Sequence, residues 1–323
     1  MHVVKIAVQG DRVADPHIIT DDQIVNLLDT LDIRGCLERM FLSQAYGRAM
    51  QPPQTISLFP DDAGDFITYL GVLADDGVFG AKLSPYIPSG GDALVTAWTV
   101  LMSMKTGQPL LLCDSKRLTT ERTAATTIIA AEKLARPDSR VLTIVGTGAV
   151  GMAHLRYAAG IRNWSELRLA SPNALSREDL PKEVKGIPVH IYDNADLASA
   201  GADVVMLCTS SGEPVIDAAA LASTTLITSI STNVSNAHEI DPALLHDLDV
   251  YCDYRGATPT SAGEMKLAAA AGWDAAQIRG DLPELMRGEA PAPSWQRPAF
   301  FRSIGLGLED VAAAYAVLSA LRN

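Results

Sequence analysis

Residues 141–151 read VLTIVGTGAVG, and they decide the fold. Val141–Val145 is an unbroken apolar run of strand length, the pattern of a strand buried on both faces. Gly146-Thr147-Gly148-Ala149-Val150-Gly151 follows at once. An Ala-rich segment with Met152, Leu155 and Ala158 then continues at helical spacing. A GxGxxG between a buried strand and a helix is a dinucleotide-binding signature. Gly146 permits the tight turn, Gly148 lets the backbone approach a pyrophosphate, and Gly151 lets the helix sit close to the strand. The free N–H groups of the helix N-terminus supply partial positive charge for the phosphates.

Downstream, residues 140–260 alternate strand and helix. Runs at 167–170, 189–192, 204–208, 225–229 and 250–254 predict a Rossmann-type doubly wound parallel sheet. Ligands bind outside the carboxyl ends of such strands. The strand ending at Ala170 runs into Ser171-Pro172-Asn173, with Arg177 nearby and without the acidic residue that would hold a ribose 2′-hydroxyl. An acid there would repel a 2′-phosphate, so these residues favour NADP, with NAD possible. Thr209, Ser211 and Ser231, after two later strands, have side chains suited to ribose and nicotinamide.

Upstream the pattern differs. Thr20 and Gln23 form a capping-box pattern for a helix carrying Ile24, Leu27 and Leu28. A second helix over about 31–48 stops at Pro52-Pro53. Runs at 55–59, 66–74, 78–86, 94–103 and 108–113 read as strands of a mostly antiparallel sheet, with a hairpin turn at 105–108. A helix is expected from Thr119 to about Ala135. Residues 288–300 are rich in proline and turn residues. The last helix, 308–321, has no obvious place beside the nucleotide-binding sheet and is expected to pack back on the first one. The division expected is 1–118 with 305–323 as an α+β substrate-binding and dimerisation domain, and 119–304 as the dinucleotide domain.

Composition excludes several classes. The 323 residues are 48% apolar and carry a net charge of −12, unlike a nucleic-acid binder, which needs a basic face. The cysteines, Cys36, Cys113, Cys208 and Cys252, lack metal-ligand spacing, so no metal is expected. Signal-peptide and membrane-spanning runs are absent from the pattern, which makes a cytoplasmic protein the expectation.

The chain resembles the ornithine cyclodeaminase/μ-crystallin family of NAD(P)-dependent enzymes over nearly its whole length. The resemblance is carried by Gly80-Ala-Lys82, the segment 118–125 around Arg122, the glycine turn, His238-Glu-Ile-Asp241, Ser261-Ala-Gly-Glu264, Phe301-Arg-Ser-Ile-Gly305 and Glu309-Asp310. It implies a two-domain subunit that forms a homodimer through the first domain, with Lys82 and Arg122 holding a substrate carboxylate. A fork-shaped guanidinium and a lysine both suit that task. Gln54, expected to donate to the same carboxylate, stands where many members carry a third cation, and Asn233, also expected at the substrate site, stands where ornithine cyclodeaminases carry an aspartate. Neither can supply charge, and no carboxylate lies within Phe66–Ala74, so cyclisation of ornithine is disfavoured.

The activity expected is therefore oxidative deamination of an L-amino acid to its 2-oxo acid and ammonia. A basic substrate such as L-arginine fits best, because acidic residues (Asp61, Asp62, Asp65, Asp75, Asp76) border the strands of the first domain. Lys82 is the expected proton carrier, with Arg122 beside it. Reduction of a cyclic imino acid, ornithine cyclodeamination, and a non-catalytic ligand-binding role are the alternatives.

Overall fold

The change of sequence period at residue 115 is a change of architecture. The computed structural model describes residues 15–90, 93–232 and 234–322. Among these the strands form two sheets.

The first sheet contains β1 (His17–Ile19), β2 (Ala49–Met50), β3 (Thr55–Leu58), β4 (Asp65–Leu73), β5 (Val78–Ile87), β6 (Leu94–Val95), β7 (Trp98–Ser103) and β8 (Pro109–Asp114). The spine order is β1-β8-β7-β5-β4-β2, antiparallel except that β1 runs parallel to β8. Before it come α1 (Asp21–Leu27), opened by the Thr20/Gln23 capping box, and α2 (Ile33–Ala45).

The helix α3 (Lys116–Leu134) then leads into the second sheet, and almost every residue on its inner turns is buried. The second sheet contains β9 (Val141–Val145), β10 (Glu166–Ala170), β11 (Glu183–Val184), β12 (Ile187–Tyr192), β13 (Val204–Leu207), β14 (Leu226–Ser229), β15 (Asp249–Cys252), β16 (Gly280–Asp281) and β17 (Ala299–Arg302). Its order, β11-β12-β10-β9-β13-β14-β17-β15-β16, is parallel throughout except at β11. The helices α4 (Ala149–Ala158), α5 (Ala195–Ser199), α6 (Thr258–Ser261), α7 (Gly263–Ala270) and α8 (Leu282–Arg287) connect its strands. Val204–Leu207 and Leu226–Ser229 are buried at every position, as a sheet covered on both faces requires.

One strand begins inside the segment expected to be turn, 288–300, and runs past its end. Ala299–Arg302 pairs with β14 on one side and β15 on the other, so the chain returns to the middle of the sheet. Four residues after Pro298 are too few to show a period.

The last helix, α9 (Gly307–Arg322), packs on the first sheet as expected. Gly71 and Gly80 make room for it. A Cβ at Gly71 would stand 2.8 Å from Leu308 Cα, and one at Gly80 would stand 3.3 Å from Val311 Cγ2. One apolar core joins this helix, α2, α3 and one face of the second sheet. A second core covers the other face. No helix among the described residues is long and apolar enough to cross a membrane.

Candidate active site

The glycine turn sits at the carboxyl end of β9. Gly146 has φ +110°, the left-handed region that favours glycine. A Cβ there would overlap the Cys208 carbonyl, and one at Gly151 would overlap the Gly146 carbonyl. Gly148 differs, since nothing of the protein lies within 4 Å of where its Cβ would be. It is the N-cap of α4 with no side chain to satisfy the first turn, and it lines a cleft of about 700 Å³ with Gly146, Ala149 and Val150. Open space above a glycine, beside uncapped helical N–H groups, is the cradle a pyrophosphate needs.

Thr147, Ser171 and Arg177 meet at the rim of this turn. The Thr147 and Ser171 hydroxyls are 2.9 Å apart, and the Arg177 guanidinium donates to the Thr147 carbonyl at 2.7 Å. Its other side pairs with Asp179. Ser171 lines the cleft, whereas Asn173 is exposed and not among the lining residues, its carbonyl accepting from the Ser176 hydroxyl. Thr209 and Ser231 line the cleft from the next two strand ends. Ser211 bonds inward, its N–H donating to the Thr209 hydroxyl and its carbonyl accepting from Ser231.

Three buried acids and an arginine hold these loops. The Glu239 carboxylate accepts from the Thr209 N–H at 2.7 Å, the Ser229 hydroxyl at 2.8 Å and the Ile230 N–H at 2.9 Å. Arg302, 1% exposed, stands 3.0 Å from Glu264 and donates to the Ser229 hydroxyl and the Ser231 carbonyl. Asp253 accepts from the N–H groups of Ile304 and Gly305 and from the Ser303 hydroxyl. The family signatures around residues 239, 264 and 302 are thus a polar frame under the cleft. Of these, Asp253 carries no sequence signal beyond an acid at a strand end.

The opposite wall comes from the first sheet. Lys82 on β5 and Arg122 on α3 are 2% and 5% exposed, and both line the same cleft as the glycine turn. The first turn of α9 supplies their partners. Lys82 Nζ is 2.7 Å from Asp310 Oδ2, and Arg122 reaches Asp310 at 2.9 Å and Glu309 at 3.1 Å. The Tyr69 ring lies 4.2 Å from Lys82 Nζ. Burial dominates here. It brings Lys82 down to about 8, with Arg122 adding repulsion and Asp310 opposing the shift. It lifts Glu309 to about 8 against the attraction of Arg122, while Arg122 itself is held well above its ordinary value by Asp310 and Glu309. Of the four groups, the two cations Lys82 and Arg122 are the ones that line the cleft. Their donors suit an incoming carboxylate.

Gln54 donates to the Gly305 carbonyl at 2.9 Å and is not among the residues that line the cleft. It braces the approach to α9 alongside Gln51, which accepts from the Leu308 N–H. Asn233 lies outside the described residues. No cluster of three or more metal-ligating side chains is present among the described residues. Tyr69 lines the same wall and Glu309 and Asp310 pair with its cations, and only the last two carried a sequence signal.

A doubly wound sheet with a glycine cradle, facing buried cations on β5 and α3, defines a dinucleotide-dependent enzyme of small carboxylates. The chain belongs to the ornithine cyclodeaminase/mu-crystallin family, whose model matches residues 15–323. It is 50% identical over 312 residues to the NAD(P)H-dependent anabolic L-arginine dehydrogenase DauB of Pseudomonas aeruginosa, covering 94% of this chain and 97% of that one. Among solved structures, it is similar to the iminosuccinate reductase of Paracoccus denitrificans in complex with NAD+, with a TM-score of 0.85 at 25% identity. That match covers 95% of this chain and 96% of the other. The Δ1-pyrroline-2-carboxylate reductase of Thermococcus litoralis, in complex with NADH and L-proline, shares the fold with a TM-score of 0.86 at 23% identity. Here 95% of this chain and 97% of the other are covered.

Proposed function

We propose that this protein is an NAD(P)-dependent amino acid dehydrogenase acting on a basic L-amino acid, with L-arginine the best candidate. The observation that carries this reading is one cleft lined by the glycine turn and by Lys82 and Arg122. The identity of the substrate follows the likeness to the Pseudomonas aeruginosa enzyme.

Residues 146–151 hold the pyrophosphate, and Thr209, Ser211 and Ser231 lie toward the ribose and nicotinamide. Ser171, Asn173 and Arg177 receive the adenosine ribose, with Arg177 available to a 2′-phosphate. The bound nicotinamide supplies hydride acceptance from the substrate Cα. The protein does the rest. Arg122 and Lys82 grip the α-carboxylate, and burial of the cleft strengthens that grip by excluding water. Lys82, poised to titrate at about 8, accepts the proton released when the iminium left by hydride transfer is hydrolysed by water to ammonia and 2-oxo acid. In reverse it donates that proton, which is also the step an imino acid reductase requires.

Residues 1–118 and 305–323 act as the substrate domain and 119–304 as the dinucleotide domain. Two copies pair through the outward face of the first sheet. There Ile18, Phe79, Leu83 and Leu112 stand 62%, 37%, 47% and 36% exposed, on the side opposite α9. These exposed apolar side chains on one face support that pairing. The four cysteines are free and buried, fitting a reducing cytoplasm.

The test is turnover with NADP or NAD and a panel of L-amino acids across pH. Reduction of the cofactor by L-arginine is expected. Its kcat/KM should rise as pH passes upward through about 8, where Lys82 loses its proton. In the reductive direction kcat/KM should fall over the same interval, since the protonated form donates. Proline and ammonia formed from ornithine without net cofactor reduction would instead assign cyclodeamination.

A further inference from the structure

The wall that carries Lys82 continues along the inward face of the β4–β5 hairpin. Side chains alternate along a strand, so Lys82, Ser84 and Tyr86 share that face. Across the ladder Tyr69 stands opposite Lys82, Ile67 opposite Ser84, and Asp65 opposite Tyr86. Ser84 lines the cleft with Lys82 and Tyr69. One step further, half-buried Asp65 and exposed Tyr86 line a hollow of about 510 Å³ with Leu58 and Phe59. Asp61 and Asp62 border it on the solvent side.

We infer that Asp65 selects the substrate side chain, its carboxylate receiving the guanidinium of an L-arginine whose α-carboxylate is held by Lys82 and Arg122. The inference rests on the dehydrogenase reading above and names the residue that gives it a basic substrate.

Length supports the assignment. Four residues of strand carry the face about 13.5 Å from Lys82 to Tyr86 at ~3.4 Å per residue. An extended arginine measures about 8.5 Å from carboxyl carbon to terminal nitrogen, given staggered bonds of about 1.5 Å. With a charge-assisted bond of about 2.8 Å at each end it spans about 14 Å. An ornithine ammonium falls roughly 2 Å short by the same geometry. Chemistry supports it too. A planar guanidinium matches a carboxylate in two parallel bonds, and the aromatic faces of Tyr86 and Phe59 suit it by stacking. The charge of Asp65 acts inside the cleft as well, adding to burial and Asp310 in raising the Tyr69 hydroxyl. Asp75, at the far end of the same hairpin, is engaged by Arg48 and Ser43 instead.

The experiment compares wild type with Asp65→Asn on L-arginine and on L-norleucine, whose shorter aliphatic side chain carries no charge, together with calorimetric titration of L-arginine into protein saturated with NADPH. The variant should raise KM and Kd for arginine about tenfold with little change in kcat, because the contact is the same in ground and transition states. The arginine-to-norleucine ratio of kcat/KM should fall by the same factor. An unchanged ratio overturns the inference. Wild type provides a check that needs no variant. Guanidino amino acids shortened by one and two methylenes should lose at least about tenfold in kcat/KM each, since they no longer span the two charges. Equal values along that series would also overturn it. A wild type inert toward arginine with either dinucleotide would instead defeat the dehydrogenase reading itself.

Discussion

Lys82→Met is expected to lower kcat by about 10²–10⁴-fold while dinucleotide binding stays intact, the loss typical of a positioned acid–base group. Lys82 is the buried cation whose ordinary value is brought to about 8, near a working pH. Arg122 cannot replace it, because Asp310 and Glu309 hold its proton far more firmly. Methionine fills the same volume, and Asp310 keeps its bond to Arg122 at 2.9 Å, so the wall should survive the change. Steady-state rates, paired with a fluorescence titration of NADPH, separate the two effects. A variant that retained full activity would remove Lys82 from the chemistry.

The second large effect is expected at the glycine turn. Gly151→Ala should abolish dinucleotide binding and lower stability by about 1–3 kcal/mol, the range for a side chain forced into a packed site. The new methyl would overlap the Gly146 carbonyl, which is backbone and cannot swing aside. The helix α4 would have to move off β9, taking its free N–H groups with it. Gly148→Ala is the contrast. No protein atom lies within 4 Å of its added carbon, so the melting temperature should hold. That carbon enters the space meant for the pyrophosphate, so affinity for NADPH should still fall. If both variants bound NADPH as wild type does, the cofactor would lie elsewhere.

The same two features show how far sequence reading reaches. The turn at 146–151 was legible because its reasons are local, namely a buried strand, a forced positive φ and a close helix. The β4–β5 and β7–β8 hairpins were legible for the same reason, their strands being neighbours in the chain. Ala299–Arg302 was not. Its place between β14 and β15 is settled by long-range pairing, and four residues after a proline carry no period. Lys82 and Arg122 were found through a family signature, yet the sequence alone showed no reason for burying two cations. The reason is the first turn of α9, where Asp310 and Glu309 arrive from 187 to 228 residues further along the chain. Gln54 was read as a carboxylate ligand, and in the fold its amide meets the Gly305 carbonyl 251 residues on. No local pattern encodes such a partner. Glu239 and Arg302, read only as family marks, turn out to be the frame that aims the loops.

The central claim is that substrate Cα and nicotinamide meet in the cleft between Lys82 and the glycine turn, with net transfer of hydride. L-arginine deuterated at Cα, incubated with the protein and NADP, tests it most directly by mass spectrometry of the recovered cofactor. The account predicts one deuterium on the reduced nicotinamide for each 2-oxo acid formed. Deuterium lost to water, or retained in the organic product with no reduced cofactor accumulating, would contradict it.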